Sequence, residues 1–415
     1  MTRLILPILA ALAFAPSALA WTPISQTPLS NIDRPATLLT SAGTELVVWS
    51  DNGSGLWLWS SKGGTKQIAT VPFVAQPQVV QQPSGAVQLY AGSGGGVVRF
   101  QSTDDGATWS GPFAIVSPTT TGPVVSAAVR PDGTPMFTQD STSGVNVFQG
   151  LDGEQSHTVF GTCCGYAETL AVDRSNYAQV AFWSNASAFP NLFVYEGLDG
   201  SGAQAGPGRS FGAPQTAPRN DSVPLVAAGD GTTYMGWAAG YPTATAFAVN
   251  AFQGGNLGWS SVVAGGRFAG ADPHLALAAD RANRLWAVWS QGNAVHARRS
   301  RSRAHHFGAP SAAGLAAATV YQLAAIALPD GRVDAFFNDG HQIVHQALLP
   351  GLTVTAAKKT ATVLDDGIGV KATLKGGGHT VTTSAAGKAS LAKFRRGTHV
   401  TVTAGGYAAA SFKVP

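Results

Sequence analysis

The chain has only two cysteines, Cys163 and Cys164, and they are adjacent. No disulfide framework can tie distant parts of it together, so the fold must rest on an apolar core. Charge is scarce as well. Charged residues make up 12% of the sequence, about half the ordinary share, which excludes a charge-extended disordered chain. Helical periodicity is missing beyond the N-terminal stretch, and no later apolar run is long enough to span a bilayer as a helix. The sequence has no Gly-x-Ser-x-Gly elbow, no His-Glu-x-x-His helix and no P-loop. Asp-Gly pairs at 132, 152, 199, 230 and 330 lack the alternating oxygen ligands of a calcium loop and read as hairpin turns. No metal or cofactor is expected.

Glycine is abundant instead, with 50 residues beside 24 prolines, and this punctuation suits many short strands joined by turns. At the start, Arg3, the apolar run from Leu4 to Phe14 and the small-residue pattern Ala18-Leu19-Ala20 have the form of an export leader, residues 1–20. The mature chain is then expected to begin at Trp21 and to be secreted or periplasmic, without membrane insertion. A net charge of +4 with no basic stripe interleaved by aromatics gives no nucleic-acid footprint. The dense cluster Arg298, Arg299, Arg301 and Arg303 reads as a solvated hairpin.

The strongest signal is self-similarity. A short apolar strand, a turn rich in Asp, Gly or Asn, and a strand rich in Val, Phe and Trp recur together. Examples are Pro35–Leu39 with Leu46–Ser50, Thr169–Asp173 with Val180–Ser184, and His274–Leu277 with Leu285–Ser290. The spacing of about 45 residues is that of one four-stranded propeller blade. Seven copies are counted, or six if one faint copy is an elaborated loop. Such blades bury their faces only against each other, so the ring must close. Trp21–Ser25 resembles the fourth strand of the second copy and is expected to complete the last blade, whose own strands stop near Leu349. The propeller is assigned 21–349.

After Leu352 the pattern changes to strand-like runs at 352–355, 370–374, 379–383, 399–402 and 410–414, read as a small β-sandwich over 352–415. Val363-Leu364-Asp365-Asp366-Gly367, Thr383-Ser384-Ala385-Ala386-Gly387 and Gly406-Tyr407 resemble elements of bacterial immunoglobulin-like or carboxypeptidase-regulatory-like modules. The fold class is therefore all-β, a propeller followed by a sandwich.

Ser102-Thr103-Asp104-Asp105-Gly106-Ala107-Thr108-Trp109 matches the Asp-box, Ser-x-Asp-x-Gly-x-x-Trp, at every defined position. Asp104 is placed to accept turn N–H bonds, Gly106 to take positive φ, and Trp109 to wedge beneath the hairpin, so the box is structural rather than catalytic. Ser300–Phe307 is a decayed copy. On these residues the chain resembles the sialidase-like, Asp-box propellers. That resemblance implies an arginine triad for a substrate carboxylate, a Tyr–Glu nucleophile pair and an acid/base Asp at the mouth of the ring. Arg34 and Arg219 match inter-blade arginines, Tyr321 matches the tyrosine before the last blade, and Glu168 matches a carboxylate beside it. A third mouth-facing arginine and an Asp after the first blade are missing, which puts an exo-sialidase-type hydrolase second to a binding function.

The adjacent cysteines fall on an inter-blade loop. Neighbouring Cα atoms lie about 3.8 Å apart, below the usual disulfide range, but Gly161 and Gly165 ease the bend. A vicinal disulfide is favoured over free or intermolecular thiols in an exported chain. With Tyr166 it either forms an apolar platform for a ligand or simply stiffens the loop. The expected partner is a glycan or cell-surface polymer, bound without catalysis or with weak catalysis. A structural or protein-interaction role is a further alternative. Nothing in the sequence bears on oligomeric state.

Overall fold

The computed structural model describes residues 21–25, 34–51, 55–71, 75–93, 96–116, 126–141, 144–160, 165–184, 192–198, 209–211, 223–239, 246–253, 256–261, 274–302, 307–313, 316 and 320–415. Among them the chain is all-β, and no helix is long and apolar enough to cross a membrane.

Between 22 and 348 the strands form seven four-stranded antiparallel sheets. The first is Ala36–Leu39, Glu45–Ser50, Gly55–Ser60 and Gly64–Thr70, in hydrogen-bonded order. The second is Ala75–Gln81, Val87–Ser93, Gly96–Ser102 and Ser110–Val116. The third to sixth begin with Ala127–Val129, Gly165–Val172, Leu225–Ala227 and Leu275–Ala279. The seventh runs Tyr321–Ala327, Val333–Asn338 and Ile343–Leu348, and its fourth strand is Thr22–Pro23 from the other end of the described chain.

One local device repeats in every sheet. The turn from first to second strand spans five residues, and its first N–H donates to the carbonyl of its fifth, as in Thr40 to Thr44 at 2.9 Å. The same bond joins Gln82 to Ala86, Arg130 to Thr134, Asp173 to Tyr177, Ala228 to Thr232, Asp280 to Arg284 and Leu328 to Arg332. The fourth residue of the turn must take positive φ. It is Gly43, Gly85, Gly133, Gly231 or Gly331 in five sheets, and Asn176 or Asn283 in the other two. These are the residue types that tolerate the left-handed region best.

The second strand of each sheet lies between neighbouring sheets, and its side chains are covered on both faces. Leu46-Val47-Val48-Trp49 and Leu285-Trp286-Ala287-Val288-Trp289 are therefore continuous buried runs rather than alternating ones. Apolar clusters bridge successive sheets, for example Leu46, Val48 and Leu58 with Val87, Leu89 and Phe100 between the first two. Val47, Trp49, Ile326 and Phe336 bridge the seventh sheet to the first. The seven first strands contact one another in succession, and the seventh touches the first, so they close a ring.

The closing strand is short. Thr22 lies opposite His345 and Pro23 opposite Val344. The Ile24 N–H donates to the Ile343 carbonyl at 2.8 Å, Ser25 Oγ accepts from the Ile343 N–H at 2.6 Å, and the Trp21 ring meets Phe337 edge-on at 4.6 Å.

Residues 353–413 form two more four-stranded sheets around one apolar cluster that includes Val363, Leu374, Phe394 and Val400. Thr360–Asp365 is a central strand there, although the sequence reading placed no strand over it, and Val370–Ala372 lies outside any strand. The arginine cluster also departs from expectation. Arg298 and Arg299 belong to the strand Ala294–Ser302, and Arg299 is buried rather than solvated. Arg299 pairs with Asp365 at 2.6 Å, donates to the Gly331 carbonyl at 3.0 Å and lies over the rings of Trp286 and Tyr407. Arg301 pairs with Asp366 at 3.2 Å, and the Tyr407 hydroxyl donates to Asp365 at 2.9 Å. This basic segment is the surface on which the C-terminal sheets sit.

Candidate functional site

The seven first strands surround a cavity of about 890 Å³. All of them start at one end of the ring, so residues near their starts share one mouth and residues past their ends share the other. At the starting end the lining includes Arg34, Gln76, Ser126, Glu168 and Gln322, with Gln78 and Thr169 one step deeper. At the far end are Ser41, Gln81 and Arg281, where the Ser41 N–H donates to Gln81 Oε1 at 2.7 Å.

Three of the lining strands carry the same irregularity. Between Ala75 and Gln78 the first strand advances three residues while its partner advances two, from Gly92 to Tyr90. The same shift occurs between Tyr166 and Thr169 against Trp183 and Ala181, and between Tyr321 and Ala324 against Asn338 and Phe336. Each is a one-residue bulge in register with the others. Two of them hold a glutamine in the left-handed region, Gln76 at φ 40° and Gln322 at φ 49°. That conformation disfavours any residue with a Cβ by about 1–2 kcal/mol, so it persists only where the surroundings impose it. Bulges of this kind redirect side chains at the rims of sheets. Here the bulged segments place Gln76, Gln322 and Glu168 in the cavity lining, with both Glu168 carboxylate oxygens buried.

Of the residues singled out from sequence, Arg34 and Glu168 line this one cavity. Tyr166 and Tyr321 occupy equivalent register positions at the first residue of their bulges. Cys163, Cys164 and Arg219 lie outside the described residues. Among the described lining residues, Arg34 is the single guanidinium at the starting end. Gln76, Gln78, Thr169, Gln322 and Arg281 escaped the sequence reading. For the four on strands, a polar residue inside an apolar strand was the only signal, and Arg281 stands in a turn with none.

The Asp-box lies at the opposite end of the ring, on the hairpin between Gly96–Ser102 and Ser110–Val116. Asp104 accepts from the Thr108 N–H at 2.8 Å, the Thr108 hydroxyl at 2.6 Å and the Ser102 hydroxyl at 2.8 Å. These bonds hold its carboxyl down at about 2. Gly106 has φ +86°, and Trp109 Nε1 donates to the Gly106 carbonyl at 3.1 Å. Asp104 itself is exposed. The hairpin is also tied to the first sheet, through Asp105 to Thr44 and Lys62 and through Lys66 to the Gly106 carbonyl.

No protein-family profile matches the chain. No curated protein matches it in sequence. Solved structures similar to it include virginiamycin B lyase from Staphylococcus aureus, at 12% identity over 78% of this chain and 97% of that one, with a TM-score of 0.48. The SapL1 lectin in complex with alpha methyl fucoside is 14% identical over 70% of this chain and 97% of that one, with a TM-score of 0.48. The GH93 alpha-L-arabinofuranosidase of Fusarium graminearum, solved with arabinobiose, is 12% identical over 79% and 98%, with a TM-score of 0.45. Likenesses of this degree carry nothing over to what this chain binds.

Proposed function

We propose that the chain is an exported seven-bladed propeller of the Asp-box, sialidase-like kind, residues 21–349 behind a leader at 1–20. A small β-sandwich over 352–415 is carried on its side. The cavity at the strand starts binds a glycan or cell-surface polymer, and the protein is a binder before it is a catalyst.

The observation that carries this reading is the set of in-register bulges that put Gln76, Gln322 and Glu168 into a cavity of about 890 Å³. That volume lies within the usual range for small-ligand sites. Sugar hydroxyls donate and accept at once, and a glutamine amide offers both functions from one planar group. Arg34 adds a forked donor at the same end. Strained backbone is retained where it positions a contact rather than where it merely packs.

A hydrolase of the exo-sialidase type is the second reading, because Arg34 and Glu168 line one cavity and Tyr321 opens the strand that brings Gln322 to it. It would require a carboxylate clamp of several arginines. The discriminating experiment pairs a glycan array with a fluorogenic sialoside assay on protein starting at Trp21. Replacement of Gln76 or Gln322 by glycine keeps the left-handed bulge and removes the amide. Each variant is expected to stay folded and to lose roughly ten-fold in glycan affinity, with no sialoside turnover in the parent. Undiminished affinity in both variants would remove the cavity from consideration, and turnover would promote the hydrolase.

A further inference from the structure

The joint between the first and seventh sheets is unlike the other joints. It is where the two ends of the ring meet, and a cluster of titratable groups sits inside it. Glu45 opens the strand Glu45–Ser50, Asp334 lies in Val333–Asn338, and His345 lies in Ile343–Leu348 opposite Thr22 of the closing strand. His345 Nδ1 is 2.8 Å from Asp334 Oδ2, and its ring stacks on Phe336 at 5.4 Å and leans on Trp59 at 5.1 Å. Arg332 is the other charge facing Glu45, and it is engaged by Asp330 at 2.7 Å.

Two oxygens of this cluster, Glu45 Oε2 and Asp334 Oδ1, are buried without a hydrogen donor. Two carboxylates cannot satisfy each other while both are ionised, but a single proton between them satisfies both. The charge count then depends on pH. With a proton on Glu45 and on His345, the cluster of Glu45, Asp334 and His345 is neutral overall. With both protons gone it carries two buried negative charges.

We propose that this joint is a proton-operated clasp, which holds the ring tightest in mildly acidic solution and loosens it as Glu45 and His345 deprotonate. The direction agrees with the groups' own titration. Burial, with the nearby Asp334 carboxylate, pushes Glu45 from 4.5 up to about 7. Burial alone would lower His345, but the hydrogen bond and charge of Asp334, with the charge of Glu45, raise it overall. Both groups thus hold protons more tightly folded than unfolded. Their stabilisation is complete below the unfolded values of 4.5 and 6.5, and is lost as pH rises through the folded ones. The loss begins above about pH 4.5, and the part due to Glu45 goes as pH passes about 7.

The full chain from Trp21 is melted between pH 5 and 8.5, and amide exchange is followed with correction for its intrinsic pH dependence. The melting temperature is expected to fall by about 5 °C over that range. Protection of the 343–348 amides is expected to fall roughly ten-fold, while that of Val87–Ser93 in the second sheet changes little. Glu45→Gln removes one of the two titrating groups and Asp334→Asn removes the carboxylate that raises both, so each should shrink both trends, Asp334→Asn the more. A purely packing role for these side chains would lower stability by the same amount at every pH. A pH slope that survives both substitutions undiminished, or protection lost equally from both sheets, overturns the clasp. If neither variant folds, the comparison of the two sheets in the unaltered chain decides the question alone.

Discussion

Asp104 and Gly106 stand two positions apart in one turn and support it differently. Asp104 is exposed, and each of its bonds competes with water. Gly106 is buried at φ +86°, and a Cβ added there would meet Leu46 Cδ2 at 3.0 Å. Gly106→Ala is therefore expected to destabilise by about 1–3 kcal/mol, through backbone strain and crowding. Asp104→Ala should cost about 1 kcal/mol or less. Denaturant unfolding of the two variants reads this order directly, and equal losses would contradict it. The carboxyl's low value also sets a pH window. Asp104 stabilises the turn above its unfolded value of 3.8, and this is lost as pH falls through about 2. Glu45 and His345 act in the opposite sense and at higher pH.

At the scale of elements, the closing strand is brief for its task. Thr22–Pro23 supplies two ladder positions, extended by the Ile24 and Ser25 bonds to Ile343. Without it, Ile343–Leu348 becomes a free edge beside an apolar cluster. A chain beginning after Ser25 is expected to aggregate on concentration and to melt at a lower temperature, as light scattering and calorimetry would show. An unchanged monomer would mean that packing alone closes the ring. The five-residue turn was legible in advance because its demand is local: one residue at positive φ, met by Gly or Asn. The bulges were not. A strand with a glutamine near its start reads the same whether or not its register slips, and the slip is set by packing against two neighbours around the ring.

At the scale of the whole molecule, the C-terminal sheets are fastened by Arg299 and Arg301 to Asp365 and Asp366. Removing one partner of a buried pair strands the other charge, so Arg299→Ala is expected to cost about 3 kcal/mol in calorimetry. Combining Arg299→Met with Asp365→Leu replaces the pair by apolar contact and should recover most of that loss. A double variant as unstable as the single one would show that the guanidinium acts mainly through Trp286 and the Gly331 carbonyl. In the sequence these arginines resemble a solvated hairpin, because local density of charge says nothing of what faces it. Arg299 and Asp365 are 66 residues apart.

What the sequence by itself determined is what short-range physics controls. The positive-φ residue in each first turn and the bonds of Asp104 within the Asp-box hairpin are satisfied within a few residues of chain, and the second strands announce themselves as continuous apolar runs. Tertiary structure alone decided which polar groups lose their water. Gln322 entered the cavity because its strand slipped by one residue against its neighbour. Arg299 was buried because a later strand carried a carboxylate to it. Glu45 came to face Asp334 only because the ring closed, which joined the first sheet to the last. Burial and electrostatic coupling depend on the groups the fold brings together, and adjacency in the sequence does not encode them.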